Sequence, residues 1–452
     1  YFSLDGDSWL QLNKASVAGG GDNYSTFTGR SASARTSQSK AHFATYEGDT
    51  IYGELIVTDE GSGVKPFYFK MTGTGALSGR TYFAKEITVS GTHYPKFCVM
   101  HDKHLVVAGA ATALNTIYYS GTSDIDDFTS SGSGSIVLDD QVVGLKSFRD
   151  ELFIFCKNSI YKLQNINNSS TIVVVPVTKN VGCVDGKTIQ EFAGDLIFLA
   201  PDGFRTIAGT ARIGDVELGT VSKAIQPIIN TILSSTSTYE FSSVVLRDKS
   251  QYRMYYSTST ASAAASKGII GTLRPEGFEW SETNGIQAPA VTSGFNYAGK
   301  EKTYHGDRDG YVYNHDTGDS FNPAGTETNI VAQYQSPDFD YGDFGTLKTL
   351  DYLKISISPE GEVQPTLRIR YDYDSTDVPQ PEDSTFTEVP TPSIFGTAVF
   401  GTNILGASSQ PLLRQTLTGS GYSNFFKIFS NDTNAPYTLN GLYVNYRPAG
   451  RQ

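Results

Sequence analysis

Six histidines, three cysteines and a few closely spaced carboxylates are the groups in this 452-residue sequence whose types could do chemistry. The histidines are His42, His93, His101, His104, His305 and His315. A zinc centre needs several converging ligands, and a helix supplies two of them from one face. His101 and His104 instead stand three apart around a turn and do not form such a facing pair. His305 and His315 fall on the two arms of one expected hairpin and can approach each other, but they read as surface or satisfied histidines. Asp307 and Asp309, followed by Gly310, look like the start of an oxygen-ligand calcium loop. The acid that would close such a loop is missing, so a type I′-like turn between two strands accounts for them. Cys98, Cys156 and Cys183 contain no Cys-x-x-Cys pair and are too few for a disulfide framework. They read as buried free thiols of a chain made in a reducing compartment. Asn-x-Ser/Thr sequons at Asn23, Asn167, Asn168 and Asn431 are expected by chance in a chain this rich in Ser and Thr. There is no phosphate-cradling Gly loop with Lys and Ser/Thr, and no Gly-x-Ser-x-Gly. The sequence therefore designates no catalytic, cofactor-binding or metal-ligating residue and no cofactor, and the expectation is that the chain is not an enzyme.

One stretch is a partial exception. Ser3-Leu-Asp5-Gly6-Asp7-Ser8-Trp9 resembles the Asp box of sialidase-like propellers, Ser-x-Asp-x-Gly-x-x-Trp. It is one residue short between Asp and Gly and occurs once. An Asp box is a structural turn, and a sialidase also needs a converging arginine cluster and a Tyr–Glu pair. Sialidase-like hydrolysis is the third of three functional readings.

The elements that must position these residues repeat. A turn residue followed by an apolar or aromatic strand occurs at Asp49 in EGDTIYGELIV, Asp102 in HDKHLVVAG, Asp150 in FRDELFIF and Asp195 in FAGDLIFLA. Weaker instances follow at Asp248 in RDKSQYRMYY and Lys300 in AGKEKTYHG, so successive spacings are 53, 48, 45, 53 and 52 residues. In five of the six a second aromatic strand comes next: KPFYFK, NTIYYS, NSIYKL, DGFRTI and DGYVYN. Strand, short polar turn, strand is a hairpin signature. A hairpin period of about 50 residues points to four-stranded propeller blades, because a single hairpin cannot bury both faces. The expected fold is all-β: a β-propeller of about six blades over 41–325, with 1–40 as a partial first blade or lead-in segment. One helix is expected over 220–234, where Val221, Ile225, Ile228, Ile229, Ile232 and Leu233 share a face. Pro227 implies that it kinks or starts late. It reads as a packing helix between two blades. Beyond 325 the period is lost. Long alternating strands around Leu353–Ser358 and Thr366–Tyr373, a loop over 375–392, and strands near Phe425 and Leu442 predict a β-sandwich over 326–452.

Composition agrees. Gly is 45 residues, Tyr plus Phe is 53 and charged residues are only 18%, a balance that favours strands and turns over helices. Acidic residues outnumber basic ones 47 to 35, for a net charge of −12, the wrong sign for gripping a phosphate backbone. An acidic wall past which DNA slides is compatible with that sign. No stretch approaches the ~20 apolar residues of a membrane helix, and no stable membrane insertion is expected. The chain begins at Tyr1, without Met and in strand-like sequence, so a preceding piece is expected.

Four stretches in order carry a family resemblance: FRDELFIFCKNSIYKLQ, GCVDGKTIQEFAGDLIFLAPDGFRTI, SPDFDYGDFGTLKTLDYLKISISPEGEVQPTLRIRYDYD and FFKIFSNDTNAPYTLNGLYVNYRPAGRQ. The best-matching pieces are Leu152-Phe-Ile-Phe155 with Ser159-Ile-Tyr161, the Pro201-Asp-Gly-Phe-Arg205 turn, and Arg447-Pro-Ala-Gly-Arg451. Over roughly residues 95–452 the chain resembles the tail-nozzle proteins of short-tailed bacteriophages, of the tail tubular protein B type, and related propeller proteins that stabilise packaged DNA. The resemblance implies a structural virion protein. Its partners would be further copies in a ring, usually of six, the tail adaptor and portal proteins, the tail fibres, and phage DNA passing without sequence-specific binding. It implies location in the virion tail after assembly in the bacterial host cytoplasm. On that reading Ser257–Lys267, rich in Ser, Thr and Ala, is an inter-blade segment suited to contacts with neighbours or to a gate. The second reading is another phage propeller, a receptor- or glycan-binding protein of a baseplate or fibre.

Overall fold

The turns marked at Asp102, Asp150, Asp195, Asp248 and Lys300 each join or adjoin the first two strands of a sheet, and the one marked at Asp49 lies outside the described residues. The computed structural model of the protein describes residues 41–451, apart from 48–52, 61–64, 73–80, 92, 209–219, 261, 263–264, 297, 318–326, 360–362, 387–411 and 435. The chain divides into two units, Tyr1–His315 and Asp316–Gln452. The boundary expected at 325 falls among residues 318–326, and the lead-in expected over 1–40 likewise lies outside the described residues.

Among the described residues of the first unit, six antiparallel sheets follow one another along the chain, each with its strands in sequence order. Sheet one holds β1 (Ala41–Tyr46), β2 (Glu54–Asp59), β3 (Phe67–Thr72) and β4 (Thr81–Glu86). Sheet two holds β5 (Phe97–His101), β6 (His104–Ala110), β7 (Ala113–Tyr119) and β8 (Gly134–Val137). Sheet three holds β9 (Val142–Phe148), β10 (Glu151–Cys156), β11 (Ile160–Gln164) and β12 (Val173–Thr178). Sheet four has β13 (Gln190–Phe192), β14 (Asp195–Ala200) and β15 (Gly203–Thr206). Sheet five has β16 (Tyr239–Leu246), β17 (Gln251–Thr258), β18 (Lys267–Arg274) and β19 (Gly277–Asn284). Sheet six has β20 (Ala290–Phe295), β21 (Glu301–Gly306) and β22 (Val312–Asn314). Asp102 and Lys103 join β5 to β6 with φ of 47° and 66°, and Arg149 and Asp150 join β9 to β10 with 49° and 59°. Ala193 and Gly194 do the same for β13 and β14, with 52° and 76°. Two successive residues of positive φ give a turn whose twist matches its strands, at the cost of left-handed backbone that Asp tolerates better than most residues.

The second strand of each sheet explains why those segments run apolar instead of alternating. Leu105 and Val107 of β6 enter a core shared with Ile56 of sheet one, while Val106 and Ala108 enter a core shared with Leu152 and Ile154 of sheet three. Phe153 and Phe155 of β10 then face Leu196, Phe198 and Ala200 of β14, and the intervening Ile197 and Leu199 face Tyr252 and Met254 of β17. Tyr255 joins Val244 and Ala288 in the core between sheets five and six. Among the described residues, five apolar cores thus alternate with six sheets. Each fully buried large side chain contributes about 1.5–3 kcal/mol relative to exposure. First strands meet in succession, β1 on β5, β5 on β9, β13 on β16 and β16 on β20, which is the radial stacking of propeller blades.

The expected helix is present and starts late. A 3₁₀ turn at Lys223–Ile225 leads into α1 (Gln226–Leu233), with Pro227 in its first turn, where a missing N–H costs nothing. Ile229 and Ile232 are fully buried in the core between sheets four and five. The approach to α1 depends on Gly203 (φ 142°), because a Cβ there would lie 2.5 Å from Ser222 Oγ. The Ser257–Lys267 segment connects β17 to β18, so it lies within one blade and not between two as expected. The two strands pair antiparallel, with Tyr256 opposite Lys267, so the segment is the loop of one hairpin.

The second unit is a sandwich of two sheets. One is ordered β23 (Ile330–Gln335), β29 (Asn424–Asp432), β25 (Thr366–Tyr371), β26 (Ser384–Thr385). In the other, β24 (Thr346–Pro359) pairs with β27 (Leu412–Thr416) and β28 (Ser420–Gly421), and with β30 (Tyr437–Arg451). Leu353, Ile355 and Ile357 of β24 face Leu367, Ile369, Phe426 and Ile428 across one core. The two-residue β26 interrupts the region expected to be loop over 375–392. Thr385 pairs with Thr366, so the edge of β25 takes the strand up.

Candidate functional site

The polar side chains singled out in the sequence are used to join strands and sheets. His101 and His104 are cross-strand partners, yet their rings diverge. His101 Nδ1 lies 2.8 Å from Ser147 Oγ on β9, and His104 Nδ1 donates to the Ser120 carbonyl at 2.6 Å. Burial lowers the His101 pKa from its ordinary 6.5. His42 pairs with Glu60 at 2.8 Å and His93 with Thr112 at 2.8 Å. His305 and His315 do meet, with Nδ1 atoms 3.0 Å apart, and His315 Nε2 lies 2.8 Å from the Tyr255 hydroxyl. This buried chain ties sheet six to sheet five.

Asp307 closes a five-residue loop between β21 and β22, wider than the two-residue turn expected. Its Oδ1 accepts the Asp309 and Tyr311 N–H groups at 2.9 and 2.8 Å, and its Oδ2 accepts the Tyr313 hydroxyl at 2.9 Å. The loop aims Arg308 back between the blades, where it pairs with Glu240 and donates to the Thr258 carbonyl at 2.6 Å. Sequence reasoning missed Arg308; an Arg between two turn aspartates was its signal. Among the described residues no group of three His, Cys, Asp or Glu side chains is placed to hold a metal ion. The Ser3–Trp9 stretch lies outside the described residues.

The cysteines enter three different cores, with Cys98 between sheets one and two, Cys156 between two and three, and Cys183 between three and four. Burial pushes Cys98 up to about 11, and Cys156 and Cys183 to about 12. These are inert thiols, since the thiolate is the reactive form.

A polar cavity of about 440 Å³, with no counterpart among the residues singled out in the sequence, opens where sheet one meets the loop after β7. Tyr46 and Tyr68 line it together with Glu54, Lys70, Lys103, Asp124 and Asp126. Lys70 lies 3.3 Å from Glu54, and Lys85 lies 2.7 Å from Asp126. A hydrogen bond to the neighbouring Asp126 carboxylate raises the pKa of Asp124. For Asp126, burial is outweighed by Lys85 and Asp124, which lower it. The two carboxyls are thereby pushed in opposite directions. Tyrosines beside mixed carboxyls and ammonium groups are suited to hydroxyl-rich ligands. Glycosidase carboxyls stand about 5–9.5 Å apart, whereas hydrogen-bonded carboxyls are closer than that.

Comparison with known proteins yields distant likeness. No family profile matches the chain, and no curated protein matches it. Among solved structures, an exo-β-1,3-galactanase from Phanerochaete chrysosporium with β-1,3-galactotriose is similar over 89% of this chain and 95% of that one. Its identity is 8% and its TM-score 0.27. A glycoside hydrolase is similar over 89% of this chain and 96% of its own, at 9% identity and a TM-score of 0.26. The expectation that this chain is not an enzyme is corrected by these hits, which are both glycoside hydrolases. That expectation rested on missing motifs, and glycosidase carboxylates converge from separate strands without a local signature. Likeness this distant transfers no activity and no residue role.

Proposed function

We propose that this chain is a structural virion protein, a subunit of a ring-shaped tail nozzle of a short-tailed bacteriophage. In that role it retains DNA before ejection and conducts it afterwards through the distal channel. The observation that carries the reading is the free edge of β23. This strand pairs with β29 on one side, and no described strand pairs with the other. Ile330, Val331 and Tyr334 on it are 43, 66 and 47% exposed. A groove of about 250 Å³ beside it is lined by Ile330, Tyr334, Ile428, Tyr437 and Leu439. Proteins that stay apart shield such edges with Lys, Pro or a bulge. The Ile-Val-Ala-Gln-Tyr-Gln edge has none of these, and it offers an uncharged approach between copies that each carry −12. The same acidity supports passage over capture, since every phosphate neutralised adds affinity that a conduit must then undo.

Gold-labelled antibody on phage particles tests the location: label at the distal tail supports the nozzle, and label on capsid or fibres overturns it. Anisotropy titration with duplex DNA in about 150 mM salt tests the conduit. Weak binding is expected, and sub-micromolar, salt-sensitive binding would show a gripping plug instead. The cavity with Tyr46 and Tyr68 favours the second reading, a glycan-binding propeller of a baseplate or fibre. Retention on neutral and acidic polysaccharides, lost on Tyr68→Ala, would support it.

A further inference from the structure

We infer that the outer face of the β24–β27–β30 sheet is a cationic contact surface, and that its occupant is the acidic loop 372–383 of a second copy of this chain. The inference rests on the ring reading above and gives it a head-to-tail contact. On β24 the inward residues Leu353, Ile355 and Ile357 are fully buried, which turns Tyr352 and Lys354 outward. The register places Lys354 opposite Arg414 on β27 and opposite Tyr443 on β30. Arg414 lies 4.4 Å from the centroid of the Tyr352 ring. The Lys354 ammonium lies 5.6 Å from that ring and 6.0 Å from Tyr443, which is itself 55% exposed.

Two like charges directly opposite each other disfavour a sheet, and ring faces offset only part of that. Neither Lys354 nor Arg414 has a carboxylate partner among the described residues. In a chain with 47 acidic and 35 basic residues, the surface that complements such a pair is another copy's carboxylates.

The loop after β25 presents them. Asp372, Tyr373 and Asp374 hold φ of 50°, 61° and 59°, three successive left-handed residues without a glycine. The Asp372 carboxylate holds this bend by accepting the Tyr422 and Ser423 N–H groups at 2.7 and 3.0 Å. Tyr373 is thereby 67% exposed, and Asp377 and Glu382 of the same loop are exposed. Asp374 and Asp383 already pair with Arg370 and Arg368, whereas Asp377 and Glu382 have no cation partner among the described residues. A loop that carries an exposed aromatic and two free carboxylates thus complements cations over aromatics. Because the two surfaces differ, the contact is heterologous, and such contacts close into rings or extend as filaments.

Sedimentation velocity of the full chain over a concentration series at low and high salt tests this. Wild type is expected to associate and to lose association as salt screens the contact. K354E/R414E and D377K/E382K should each weaken association at least about 30-fold, while the fourfold variant should recover to within about 3-fold of wild type. Near-ultraviolet circular dichroism and the neutral K354Q/R414Q variant, expected to fall between, separate lost contact from lost fold. Association unchanged by the reversals overturns this contact and leaves the ring reading standing. A monomer at every concentration overturns the contact too, and particle labelling then judges the nozzle on its own. Loss of binding to heparin or duplex DNA on K354E/R414E, with self-association untouched, would assign the surface to a polyanion.

Discussion

Phe198 offers the most direct test of sheets sharing cores. It is fully buried and meets Phe155 of the preceding sheet edge-on, with ring centroids 5.2 Å apart and planes at 63°. Phe198→Ala removes a large side chain from a core closed on both sides, and such truncations cost about 3–5 kcal/mol. Of that, about 0.5–1.5 kcal/mol belongs to the edge-to-face pair itself. At about 2–4 °C per kcal/mol for a unit of this size, the melting temperature should fall by roughly 6–20 °C. Phe43→Ala is the control, since Phe43 is 63% exposed, and it should stay within about 0.5 kcal/mol. Urea unfolding followed by Trp280, which stacks on Phe204 at 5.1 Å in the next core, reports whether the loss spreads to the neighbouring sheet. A cycle with Phe155→Leu should show coupling of about 0.5–1.5 kcal/mol. If Phe198→Ala behaves like Phe43→Ala, or the coupling vanishes, sheets three and four do not share this core.

The thiols predict an alkaline weakness. Their folded values, about 11 for Cys98 and about 12 for the others, lie above the ordinary 9.0, so their contribution is whole below pH 9 and is lost as pH rises towards 11–12. Melting temperatures measured from pH 8 to 11 should fall, and triple Cys→Ser or Cys→Ala replacement should flatten that fall; an unchanged slope refutes the assignment. Mass spectrometry after alkylation should find no modified cysteine in the folded protein and three after unfolding without reductant, whereas a disulfide-linked mass would overturn this. Tyr255→Phe removes the hydroxyl 2.8 Å from His315 Nε2 and should cost about 1–1.5 kcal/mol in calorimetry, with no loss meaning that the contact does not form in solution.

The blades were legible in the sequence because their second strands announce themselves twice. Asp102 and Asp150 occupy turns that need positive φ, and LVVA and LFIF are apolar at every position because each face serves a different core. The fourth strands were not legible. β8 alternates half-buried and exposed residues over only four positions, too few to stand out, and β12 mixes them without a period. The turn at Asp307 was visible, but not the reach of Arg308 to Glu240, which lies 68 residues away in the chain. The polar cavity could not be read at all. Glu54, Lys70 and Asp126 are unremarkable singly and gain meaning only when β2, β3 and the loop after β7 converge.

Apolar character on both faces of β6, β10 and β14 has a consequence for register. In a half-exposed strand, a one-residue slip carries its apolar set into water and is rejected. Here the slip would only exchange Phe153 and Phe155 with Leu152 and Ile154, one apolar set for another. Hydropathy therefore leaves the alignment of these hairpins open, and the two-residue turns must set it. A single residue inserted between Phe148 and Glu151 would misalign a strand without exposing it, giving a chain that stays in solution with two neighbouring cores mispacked. Length changes in this lineage should accordingly come in whole sheets, each removed or duplicated together with its own turn, because only that unit leaves the next pair of faces still matched.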